Sequence, residues 1–116
     1  MRISVHHEHF SLPEVAFGEL EQMGLFPLEM DVPAVKNKCH WHDFTSSFYI
    51  LQGQLKITDT SNDRVLIAGP GSRVDVPRGV LHHEESTGYR IIAGMSVDPA
   101  TLTGPIDLDP ELLEVK

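Results

Sequence analysis

The chain has 116 residues, 41% of them apolar, and a formal net charge of −8 with histidine counted as neutral. That length and apolar share suit a single packed domain and exclude a disordered chain. The acidic balance excludes the basic footprint that nucleic-acid backbones and anionic membrane surfaces require, while leaving room for a small anionic ligand beside a metal.

The lone cysteine, Cys39, has no partner for an internal disulfide, which fits a reducing compartment. The chain opens Met1-Arg2-Ile3-Ser4-Val5 without the apolar run of a signal peptide, and no window approaches the roughly 18 apolar residues that span a bilayer. The expected location is the cytoplasm.

In chain order, the first candidate element is a short helix over residues 14–23. Ala16, Leu20 and Met23 share one face there, and Gly18 weakens the segment. From Gly24 onward the period changes to two. Phe26, Leu28, Met30 and Val32 alternate with Pro27, Glu29 and Asp31, which predicts a strand. The run from Cys39 to Leu51 predicts one long strand or two separated by a kink, and Gly53 a tight turn into a strand from Gln54 to Thr58. Ser61-Asn62-Asp63 predicts a hairpin turn before Arg64 to Ala68.

Gly69-Pro70-Gly71 breaks the pattern, a strand carrying Val74 and Val76 follows, and Pro77-Arg78-Gly79 breaks it again. Leu81 to Glu85 predicts a strand, Gly88 a turn, and Tyr89 to Val97 a last long strand. Asp109-Pro110-Glu111 has the N-cap, proline and early acid of a short C-terminal helix. Many short antiparallel strands with little helix predict an all-β sandwich or barrel.

Three of the histidines carry chemistry by position. His40 and His42 are two apart, so on a strand they face the same side, about 6.5–7 Å apart at the backbone. Two imidazoles at that spacing can lean onto one cation, and a third from a neighbouring strand, His82, completes a facial set with open positions for water or substrate. Phe48, Ile50, Val74, Val76, Ile91, Ala93 and Met95 are expected to line the interior. Cys39, Trp41 and Tyr49 should face away from it, Cys39 as a small buried residue. The N-terminal His6, His7 and His9 have metal-like composition, but no second strand is identifiable to complete a site, and they are expected to be solvated or to pack in a dimer.

The spacing around these histidines resembles the cupin superfamily. Its first motif is Gly, five residues, His-x-His, three or four residues, Glu, six residues, Gly. This chain presents Ala34, His40, His42, Ser46 and Gly53 at those places. The second motif is Gly, five residues, Pro-x-Gly, two residues, His, three residues, Asn, and here Gly71, Pro77, Gly79, His82 and Ser86 stand in it. The motifs cover residues 34–86. The resemblance implies one cupin domain over residues 1–116: an antiparallel β-barrel of the jelly-roll, or double-stranded β-helix, kind. It also implies a divalent metal held by His40, His42 and His82, with a homodimer formed through strand edges.

Two departures bear on function. Ser46 stands where the family's metal-binding glutamate would be; by parity it faces the interior, but a neutral hydroxyl is a poor ligand beside imidazole. Ser86 replaces the supporting asparagine. With the carboxylate gone, the ion is one positive unit richer and favours an anionic or chelating ligand. Glu84 lies two residues after His82, on the same strand face, and is the candidate catalytic residue as general base, orienter or water-mediated ligand.

These features give two function classes. One is a metal-dependent enzyme using iron, manganese, nickel or zinc, either a ferrous three-histidine dioxygenase acting on a small chelating organic substrate or an isomerase. The other is a non-catalytic module that binds or senses a small molecule.

Overall fold

The computed structural model describes residues 1–102 and 106–113. Seven strands among the described residues form one antiparallel sheet: β1 (Ser4–His6), β2 (Phe26–Lys36), β3 (Ser46–Gly53), β4 (Leu55–Asp59), β5 (Arg64–Ala68), β6 (Arg73–Val76) and β7 (His82–Met95). The strand order is β1-β6-β3-β7-β4-β5, with β2 on the other side of β7, and the sheet curls into a nearly closed barrel of jelly-roll kind. The one α-helix among the described residues is α1 (Pro13–Gln22).

Strand β7 organises the barrel. From Glu85 to Met95 it pairs with β2, while its other side pairs first with β4 and then with β3. Hence β3 and β4 do not reverse on each other at Gly53. Gly53 pairs with Tyr89 and Lys56 with Glu85, so the chain continues down the same partner strand past a corner. Gly88 likewise lies inside one strand of 14 residues and makes no turn. Both glycines have positive φ, +83° and +128°, which bends the backbone without reversing it.

At this corner the inward face changes parity. In β3 the buried interior residues are Ser46, Phe48 and Ile50; in β4 they are Leu55, Ile57 and Asp59. In β7 the even residue His82 is buried before Gly88, and the odd residues Tyr89, Ile91, Ala93 and Met95 after it. In β2, Met30 and Val32 pack on the core before the corner and Val35 after it. Ser86 holds the bend: its hydroxyl donates to the Gln54 carbonyl (2.6 Å) and accepts from the Gly88 amide (3.1 Å). Ala34 needs no glycine geometry, since its φ is not positive.

The interior is apolar, built on Ile3, Phe48, Ile50, Leu55, Ile57, Val74, Val76, Val80 and Ile91. A second cluster forms outside the barrel, where α1 lays Ala16 and Leu20 over Tyr49 and Ile92. Gly94 makes this possible, because a Cβ there would stand 2.3 Å from Leu20 Cδ2. Met23, expected on the same helical face, is exposed, since the helix ends at Gln22 and the C-cap residue turns outward.

The N-terminus is tied down by Asp59, fully buried, whose carboxylate accepts from the Ile3 amide (2.9 Å) and from Asn62. Asp59 also caps the 3-10 turn Thr60–Asn62, and Asp63 closes it in the left-handed region, which makes the expected β4–β5 hairpin. The anticipated C-terminal helix is a single 3-10 turn, Pro110–Leu112: Asp109 supplies no side-chain cap, and with so few backbone bonds the turn does not propagate. Cys39 is half-buried, not buried, and its thiol faces the Thr60 hydroxyl at 3.6 Å.

Candidate metal centre

The run from Cys39 to Leu51 splits in two. His40 and Trp41 form isolated bridges and β3 begins only at Ser46. In the gap His42 leaves strand geometry while His40 stays paired with His82. The Gly79 amide donates to the His42 carbonyl (3.1 Å), with Gly79 at φ +82° as the Pro77-Arg78-Gly79 turn requires. The two histidine-bearing stretches are therefore joined by main-chain bonds, with the Arg78–Asp43 ion pair beside them.

The three rings meet. Their centroids lie 4.4 Å apart for His40 and His82, 4.9 Å for His40 and His42, and 5.0 Å for His42 and His82. Each Nδ1 faces a main-chain carbonyl: His40 that of Lys38 (2.7 Å), His42 that of Ile106 (2.9 Å), and His82 that of Val80 (2.8 Å). A carbonyl oxygen only accepts, so each Nδ1 carries the proton and each Nε2 presents its lone pair. Phe44 stacks on the His42 ring, 14° from parallel.

Glu84 joins them. One ligand atom from each of His40, His42, His82 and Glu84 fits within 4.8 Å of the others. Atoms on a tetrahedral ion with bonds of about 2.1 Å stand about 3.4 Å apart, so rotamer shifts of about 1 Å would close the set. Glu84 Oε2 accepts from the Tyr89 hydroxyl at 3.0 Å, while Oε1 points at His82 Nε2 from 3.7 Å. Burial, with the neighbouring Glu84 charge, pushes the Tyr89 phenol well above its ordinary range, so it remains a donor. Burial pushes His82 down to about 4; the Val80 carbonyl opposes this and the neighbouring His40 and His42 add to it. His82 is thus neutral at pH 7, and its lone pair faces a carboxylate oxygen. Two acceptors face to face are satisfied by a cation between them. The residues present fit a borderline divalent ion.

The rings open onto a cavity of about 280 Å³ lined by Met30, Val32, Phe48, Ile91, Ala93 and Met95, with Ser46 on its wall. All but two of these were expected from strand parity. Two other groups at the site carry no sign in the sequence. Tyr89 reaches Glu84 only because parity changes at Gly88. Asp107 comes from the segment beyond the barrel, and its Oδ1 lies 3.7 Å from His40 Nε2 and 3.6 Å from His42 Nδ1.

The N-terminal histidines lie elsewhere. His6 bonds Asp75 (3.0 Å) and His9 bonds Glu19 (2.7 Å) on the outer face, while His7 is exposed. Arg73, Ser47 and Tyr49 complete that network. Trp41 faces outward as expected, its indole N–H donating to the Asp109 carbonyl (2.8 Å).

No protein-family model and no curated protein matches the sequence. Solved structures do match in shape. A DUF861 family protein from Thermotoga maritima superposes with TM-score 0.60 at 13% identity, over 78% of this chain and 96% of that one. The polyketide cyclase RemF from Streptomyces resistomycificus gives 0.53 at 20%, over 71% and 63%. Oxalate decarboxylase of Bacillus subtilis, which has Mn(II) centres, gives 0.50 at 21%, over 68% of this chain and 22% of its own. This chain has the cupin fold. Cupin-fold proteins among these neighbours include a metal-dependent enzyme, and the histidine cluster here lies inside the cupin barrel. No helix among the described residues is long and apolar enough to cross a membrane.

Proposed function

We propose that this cupin is a metal-dependent enzyme acting on a small chelating organic molecule, with a ferrous three-histidine dioxygenase as the first reading. The observation that carries it is the common tautomer of His40, His42 and His82, each ring locked by a main-chain carbonyl with Nε2 free. Such bonds to the second nitrogen orient imidazoles as metal ligands and raise their basicity. Iron, manganese, nickel and zinc all accept imidazole and carboxylate donors.

A ferrous ion there would supply the redox chemistry with dioxygen. The remaining work belongs to the chain. Glu84, oriented by the Tyr89 hydroxyl, is the group placed to take a proton from a bound substrate. The apolar wall from Met30 to Met95 excludes water and suits an organic body better than a free sugar, which needs many hydrogen-bond partners.

The test begins with metal analysis of protein purified without added metal or an affinity tag, followed by oxygen uptake of the iron-loaded protein across small acids, thiols and diketones. One ion per chain and uptake with one substrate class is expected. Tight stoichiometric binding without turnover would replace the enzyme with a binding module. Conversion without oxygen uptake would point to an isomerase on the same site.

A further inference from the structure

The carboxylate that Ser46 does not provide has a second source in this chain. Residues 106–113 pass over the barrel mouth and are pinned there by main-chain bonds. Trp41 and Leu108 exchange both of theirs (3.1 and 3.0 Å), and His42 Nδ1 donates to the Ile106 carbonyl. The Trp41 indole adds its bond to Asp109. Asp107 is thus held between residues bonded to the His-x-His stretch itself, and its Oδ1 stands between His42 Nδ1 (3.6 Å) and His40 Nε2 (3.7 Å), the latter one of the three free lone pairs. Ser46 lines the cavity wall with a hydroxyl in place of a carboxylate, and Asp107, half-exposed, stands at the edge of the cluster of His40, His42, His82 and Glu84.

We propose that Asp107 is the mouth-side anionic residue of the metal centre, standing in for the carboxylate missing at Ser46. The inference rests on the metal reading above. Charge supports it. Three neutral imidazoles leave a dication at +2 in a largely apolar barrel, Glu84 reduces that to +1 from the interior side, and Asp107 brings it to zero from the mouth. A buried charge left uncompensated is costly. Placement supports it too: Glu84 approaches His82 and Asp107 approaches His40 and His42, so the two carboxylates meet the ring cluster through different histidines.

The test is titration of the full chain with Co(II), followed by visible absorption, and with Zn(II), followed by calorimetry. The Asp107→Asn and Asp107→Glu variants and a His40→Ala control are measured beside it. Asparagine keeps the shape and removes the charge, and the strap is held by main-chain bonds, so the melting temperature of the metal-free variant should match that of the unaltered chain. We expect Asp107→Asn to bind about 10- to 100-fold more weakly with an altered cobalt spectrum, and Asp107→Glu to recover part of the affinity. An unchanged dissociation constant and spectrum in Asp107→Asn overturns the role of Asp107 and leaves the metal centre standing. Failure of the unaltered chain to bind either ion removes both.

Discussion

His40 and His82 are joined as a two-way backbone pair: the amide of His40 donates to the carbonyl of His82 at 2.8 Å, and the amide of His82 returns the bond at 2.9 Å. The rings are therefore brought together by bonds that no side-chain substitution removes. His82→Ala should keep the barrel and lose the metal. The expected stability cost is about 1–3 kcal/mol for an emptied buried site, and bound metal should fall to background by elemental analysis. An equally metal-loaded variant would mean that the ion sits elsewhere.

A related expectation concerns pH. His82 is held below its ordinary value by burial, at about 4, against about 6.5 in an unfolded chain. The unfolded state takes the proton first, so the stability contributed by neutral His82 is complete above about pH 6.5 and is lost as pH falls toward 4. Denaturant melts of metal-free protein should show this decline. Metal at 100 times its dissociation constant should raise stability by about 2.7 kcal/mol at neutral pH, a gain of about 10 °C. That gain should shrink over the same acid range, since protons compete for Nε2. A flat profile between pH 7 and 4 in metal-free protein would contradict the buried neutral state of His82.

The parts of this site that the sequence reveals are those fixed by short spacing. His40 and His42 share a face because strand periodicity is two, and the turn at Pro77-Arg78-Gly79 delivers His82 a few residues later. What it conceals depends on long-range geometry. Gly53 and Gly88 read equally as turns or corners, because a positive φ serves both, and only pairing of β3 and β4 along one edge of β7 decides between them. Tyr89 looks unrelated to Glu84 until the corner switches the inward face. Asp107 lies in a stretch with no periodicity, placed by Trp41 bonds that no local pattern encodes.

Glu84 both faces the metal site beside His82 and, oriented by Tyr89, is placed to handle a proton. Glu84→Gln leaves three imidazoles in place, so one ion per chain should remain at saturating metal, bound about 10- to 100-fold more weakly, while turnover of an identified substrate in the metal-loaded protein falls by about 10²- to 10⁴-fold. Tyr89→Phe removes the donor to Glu84 Oε2; it should lower turnover less and shift the pH-rate profile by freeing the carboxylate. A Glu84→Gln protein with full turnover would assign Glu84 to the barrel wall.

Two glycines give opposite expectations for one substitution. Gly18 lies mid-helix with nothing within 4 Å of a built Cβ, so Gly18→Ala should stabilise by about 0.5–1 kcal/mol through lower backbone entropy in the unfolded chain. Gly53 sits at φ +83°, and a Cβ there would lie 2.4 Å from the Gly88 carbonyl oxygen and 2.8 Å from Tyr89 Cα. Both obstacles are backbone and cannot rotate away. Strain from the left-handed region adds to the clash, and Gly53→Ala should destabilise by at least about 2 kcal/mol. Because this corner sets the inward parity of β7, the strain also reaches the site: Tyr89 would be displaced from Glu84. Chemical denaturation of both variants, with metal affinity measured on Gly53→Ala, tests the corner. A Gly53→Ala chain as stable as the parent would show that β3 and β4 do not pass this close to β7.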